Sequence, residues 1–123
     1  MSSRSVHRVG PDLASGRPVF RAPKTLLIRG VGPALTGFGV AGALADPVLT
    51  IYQGSEALAT NAGWANRAAI AAAGTQVGAF ALAAGSRDAT LLVTLSPGSY
   101  TAQVKAAQVT SSGVALIEIY EVP

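Results

Sequence analysis

The side chains able to do chemistry are few and scattered. His7 is the one histidine and there is no cysteine. A protein zinc site needs three or four nitrogen or sulfur ligands, so no zinc cluster can be assembled. A Ser-His-Asp triad would have to recruit His7 from a segment interrupted by Gly10-Pro11, Gly16, Pro18 and Pro23. Among the carboxylates, Asp88 stands beside Arg87 and Glu118 lies three residues before Glu121. Both groupings read as solvated charge or local ion pairs, not as a general acid and base. Tyr52, Tyr100, Tyr120, Phe20, Phe38 and Phe80 are spread along the chain and read as core packing. Trp64, the only tryptophan, follows a turn signal at Asn61-Ala62-Gly63. It reads as a corner anchor, with an aromatic platform for a ligand as the alternative. The glycines between Gly30 and Gly42 are not followed by Gly-Lys-Ser/Thr, so a phosphate cradle is not expected. The chain is therefore read as a non-enzyme with no cofactor.

Composition says more. Half of the 123 residues are apolar and 12% are charged, against roughly 25% charged in an average soluble domain. A surface so poor in charge suggests coverage by another chain. Charge is also unevenly placed. Residues 1–29 carry six basic residues and one acidic, whereas residues 30–123 carry three basic and five acidic. A basic N-terminal arm over residues 1–23, followed by a mildly acidic domain over 24–123, can bind nucleic acid, an anionic surface or an identical neighbour. No stretch of eighteen apolar residues predicts a membrane span. The N-terminus as it stands lacks the apolar centre of a secretory signal.

These residues must be held by β-structure. Lys24-Thr-Leu-Leu-Ile-Arg-Gly-Val-Gly-Pro33 and Asp46-Pro-Val-Leu-Thr-Ile-Tyr52 are apolar, partly β-branched runs around a Gly/Ala-rich loop. Strands are expected at 25–31, 48–52, 57–60, 77–82, 89–95, 100–105 and 114–122, with a short edge strand at Val19-Phe20. Ser96-Pro-Gly-Ser99 predicts a type II turn and Thr110-Ser-Ser-Gly113 another turn. One short helix is expected near 66–73, capped by Asn66 and ended by Gly74. Seven or eight short strands with one helix predict an all-β fold, a two-sheet antiparallel sandwich of jelly-roll or immunoglobulin-like type. In the closing strand, Ala115, Ile117 and Ile119 share one face, and Leu116, Glu118 and Tyr120 the other.

The blocks Lys24–Leu35, Gly42–Tyr52, Val77–Leu82, Ser86–Val104 and Gly113–Val122 resemble a module of large secreted bacterial surface proteins, repeated or near their C-termini. The Asp46–Tyr52 and Leu95–Val104 blocks are more distantly similar to the bacterial pre-peptidase C-terminal β-sandwich. The resemblance covers about residues 24–122 and implies a non-catalytic extracellular adhesive, spacer or assembly unit. Related sandwiches carry acidic residues where Gln53 and Ala62 stand, which weakens a calcium site here. Asp46, Asn61 and Asp88 remain as calcium candidates, with turn capping the expected role.

The expectation is a structural module that self-assembles into an extracellular filament or cell-surface array. Arg4, Arg8, Arg17, Val19, Phe20 and Arg21 of the arm would dock on a neighbouring copy, by strand addition or wrapping. Glu56, Glu118 and Glu121 are the candidate acidic acceptors. A carbohydrate- or surface-ligand-binding module, using Trp64 on a surface glycan, is the alternative. Nucleic-acid binding through the arm ranks last, because Phe20 is its only aromatic residue.

Overall fold

A computed structural model describes the backbone of residues 2–9, 14–16, 19–108 and 112–123, and the side chains of 21–108 and 112–123. Ten strands are described: β1 (Ser2–Val9), β2 (Ala14–Gly16), β3 (Val19–Phe20), β4 (Lys24–Val31), β5 (Pro47–Gln53), β6 (Glu56–Asn61), β7 (Ala89–Leu95), β8 (Gly98–Ser99), β9 (Thr101–Ala106) and β10 (Gly113–Glu121). A 3-10 helix runs from Pro33 to Phe38, and α1 from Ala68 to Val77.

The strands form two four-stranded antiparallel sheets, ordered β1-β10-β4-β7 and β2-β9-β5-β6, with β3 and β8 as a separate pair. With β3 and β8 set aside, the chain alternates between the sheets except at the β5–β6 hairpin, and the first and last described strands, β1 and β10, are neighbours. That strand order is the jelly roll. It decides between the two sandwich types expected. The core between the sheets takes alternate residues from each strand: Leu26 and Ile28 of β4, Leu49 and Ile51 of β5, Ala102 and Val104 of β9, and Ala115, Ile117 and Ile119 of β10.

The outer face of the first sheet is also covered. Leu27 and Tyr120 pack with Trp64, Ile70 and Ala73, while Val31 and Leu116 pack with Leu35. A third layer, made of the 3-10 helix, α1 and residues 79–82, therefore roofs β4 and β10. This is why β4 is apolar on both faces, as a strand buried on two sides must be. The mixed second face of β10 meets this roof.

Several expectations are corrected. The segment read as an arm contains β1, β2 and β3, so the sandwich does not begin at residue 24. Glycine and proline were expected to break any long strand there. They first occur at Gly10, which leaves Ser2–Val9 free to extend. The strand expected over 77–82 is absent. Val77 ends α1, Gly78 takes the left-handed C′ position at φ 76°, and residues 79–82 run irregularly over the sheet. The helix is shifted four residues at its end because Gly74 lies inside it. Asn66 is not the cap: Arg67 holds that position, while Asn66 Oδ1 accepts the Gly85 N–H at 2.8 Å. Gly98 has φ 152°, not the roughly 80° of a type II turn, and it pairs in β8 with Phe20. Half of the turn expected at 110–113, residues 110 and 111, lies outside the described residues.

Candidate functional site

A buried charged cluster sits on the outer face of the first sheet. The register places Arg29 of β4 opposite Glu118 of β10. Directly opposed residues share a face, so two long charged side chains rise into the roof together. Arg29 is 2% exposed and Glu118 0%. Arg29 Nε lies 2.9 Å from Glu118 Oε1, and the Tyr120 hydroxyl donates to Glu118 Oε2 at 2.7 Å. Arg29 Nη1 donates to the Phe80 carbonyl at 2.7 Å, and its guanidinium stands 4.2 Å from the centre of the Phe80 ring. Either cation could sit over a ring, but arginine alone adds a planar fork of donors. Phe38, 63% exposed, meets Phe80 edge-on at 4.9 Å between ring centres. Beside this cluster lies a cleft of about 120 Å³, lined by Arg29, Trp64, Ile70, Gly74, Phe80 and Leu82.

The cluster holds its members in fixed places. The carboxylate faces a fixed guanidinium and a phenol, and the guanidinium faces a carboxylate, a carbonyl and a ring. The cluster is a buried ion pair with a further hydrogen bond to each partner. Glu118, expected as a candidate acceptor for the arm, is buried beneath the roof and stands opposite Arg4 in the register of β1 with β10.

The other acidic candidates stand apart. Glu56 is exposed at the start of β6. Glu121 pairs with Lys24 across β10 and β4 at 2.8 Å. The hydrogen bond from Lys24 holds the Glu121 carboxyl below its ordinary value of 4.5. A depressed folded-state pKa contributes stability above the unfolded value, and that contribution disappears as pH falls through the folded one. Replacing Lys24 with methionine is therefore expected to remove part of the stability lost on acidification below about 4.5. Urea midpoints measured from pH 6 down to pH 3 read this directly, and parallel curves for the two proteins would refute it.

The calcium candidates are each engaged. Asp88 is fully buried, and its Oδ1 accepts the Gly32 N–H at 2.8 Å and the Ala34 N–H at 3.2 Å. Its Oδ2 accepts the Ser86 hydroxyl. It therefore satisfies backbone donors at the entry to the 3-10 helix, a capping task. Asn61 Oδ1 accepts the Thr90 N–H at 2.9 Å, tying β6 to β7. Asp46 Oδ2 meets Arg87 Nη1 at 2.7 Å on the exposed surface. No group of three or more His, Asp or Glu residues placed to hold a metal occurs among the described residues. Asp88→Ala is expected to cost about 2–3 kcal/mol, because two amide donors lose their acceptor where water cannot replace it. Chemical denaturation checks this, and a loss under about 0.5 kcal/mol would contradict the assignment.

Trp64 is 7% exposed, and its Nε1 donates to the Ala83 carbonyl at 3.0 Å. It packs in the roof with Leu27, Ile70, Ala73 and Tyr120 and is among the residues lining the cleft. Among the arm residues, Arg4 stands opposite Glu118 and Arg8 opposite Val114 in the register of β1 with β10. Val19 stands opposite Ser99, and Phe20 opposite Gly98. Arg21 is exposed, and Arg17 lies outside the described residues. The arm thus adds its strands to its own domain. Sequence reasoning missed the Arg29–Glu118 pair. Each is the one charge within residues 25–31 or 113–120, which marks it as unusual but does not reveal its partner. No helix among the described residues is long and apolar enough to cross a membrane. Comparison with protein-family models, curated proteins and solved structures found no match.

Proposed function

We propose that this chain is a non-catalytic structural module that assembles with copies of itself by exchanging its first strand. The observation carrying this is the position of β1. It lies at the edge of its sheet, and among the described residues β10 is its only partner there. An identical strand from a second copy can make the same ladder without rebuilding the sheet, which is the low-cost route of domain swapping. Low overall charge and a basic N-terminal segment on an acidic remainder support the same reading. Repeated head-to-tail, the exchange gives a filament or a surface array. An extracellular, cell-surface setting belongs to the same proposal, supported by the blocks that resemble modules of secreted surface proteins.

Cysteine pairing tests it on the full chain, which has no cysteine of its own. Arg8→Cys and Val114→Cys stand opposite each other in the register. The two single variants are co-expressed and oxidised. A disulfide-linked heterodimer is expected, with larger assemblies in electron micrographs. A monodisperse monomer without intermolecular disulfide at any concentration would overturn the proposal. Glycan-array binding by such a monomer would favour the carbohydrate-binding alternative.

A further inference from the structure

β1 reads Ser-Ser-Arg-Ser-Val-His-Arg-Val, and only Val6 and Val9 are apolar. A strand so polar on both faces has weakly specified register, because no hydrophobic set must point inward. Yet it pairs with β10 through eight successive positions. Along that paired stretch, residues 113–120, β10 carries a single charge, Glu118. Glu118 is wholly buried and stands in line with Arg29 on one side and Arg4 on the other.

We propose that Glu118 is the register key of this sheet edge, a docking position that selects a strand by the arginine standing opposite it. The occupant is residues 2–9 of this chain, its own or a second copy's; the second case rests on the strand-exchange reading above. A slip by one residue would bring Ser3 or Ser5 opposite Glu118 and turn every side chain to the wrong face. A slip by two would bring Ser2 or Val6. Only a slip by four brings the other arginine, Arg8, and that carries Ser2–Arg4 beyond the end of β10. The carboxylate faces the Arg29 guanidinium and accepts from the Tyr120 hydroxyl, and two carboxylate oxygens offer about four acceptor sites in all. A single buried polar residue that fixes pairing register is the best-attested use of such groups.

The full chain tests this with two reporters. Arg8→Cys with Val114→Cys reads the native register, and Arg8→Cys with Leu116→Cys reads a slip by two. With Arg4 present, the first is expected to close almost completely and the second hardly at all. Adding Arg4→Gln, which leaves the Arg29–Glu118 pair intact, is expected to lower the first several-fold and raise the second. Arg4→Lys should restore part of the native yield. Hydrogen exchange of the β1 amides in Arg4→Gln alone, with no cysteine introduced, should show lost protection. Unchanged crosslinking and unchanged protection in Arg4→Gln would overturn the proposal. Crosslinks in the monomer band read register only, and those in the dimer band read exchange, so the two proposals fail separately.

Discussion

Glu118→Ala is expected to destabilise the protein by about 3–5 kcal/mol, the cost of leaving one partner of a buried pair uncompensated. Arg29 is 2% exposed, so its charge would remain beneath the roof without its carboxylate, and the Tyr120 hydroxyl would lose its acceptor. For a domain of this size the loss corresponds to a melting temperature lower by roughly 10–20 °C. The double variant Arg29→Met, Glu118→Leu is expected to recover most of it, because apolar side chains of similar volume replace a buried ion pair at little net cost. Urea denaturation of the two single variants and the double variant gives the coupling energy. A single-variant loss below about 1 kcal/mol would show that the pair is not buried as described.

Gly32→Ala is expected to be nearly as damaging, at about 3 kcal/mol or more, through overpacking and a displaced backbone. A Cβ there would lie 2.1 Å from the Leu44 carbonyl oxygen and 3.3 Å from Pro47 Cδ. Neither neighbour yields easily. Leu44 is buried in the core, and its N–H donates to the Val114 carbonyl at 2.8 Å. Gly113 meets the same loop from the other side, where a Cβ would lie 2.7 Å from Leu44 N and Cα. Residues 42–44 are thus clamped between the end of β4 and the start of β10, and Gly113→Ala should act alike. Gly37→Ala is the control, since a Cβ there meets nothing within 4 Å. It should change stability by less than about 1 kcal/mol. Equal effects at positions 32 and 37, by thermal denaturation, would refute the clamp.

The sandwich was legible because β4, β5, β7, β9 and β10 are apolar runs between turn residues, and such runs have few other solutions. The roof was less legible. Val77–Leu82 has the composition of a strand, but the sheet it lies over already has its four strands, so it serves as a cover. The helix end was misplaced because Gly74 resembles a stop, whereas Gly78 supplies the left-handed residue. β1 was overlooked because a strand of serine and arginine carries almost no hydrophobic signal. Its pairing depends on β10, more than a hundred residues away. The Arg29–Glu118 pair is visible only once the register is known, since adjacency across strands leaves no local pattern. Asp88, Asn61 and Asp46 were noticed as oxygen donors, but which amide or cation each would meet depended on how the loops close.

Because β1 runs antiparallel to β10, Ser2 lies beside Tyr120. The two extremities of the fold therefore emerge at the same end of one ladder. Tension applied between segments fused at either side would open that ladder rung by rung, as a zipper opens, without loading all its bonds together in shear. A tether pulling through this unit would strip the first strand at low force while the remaining sandwich stayed closed, and an unloaded edge would then be bared for another strand.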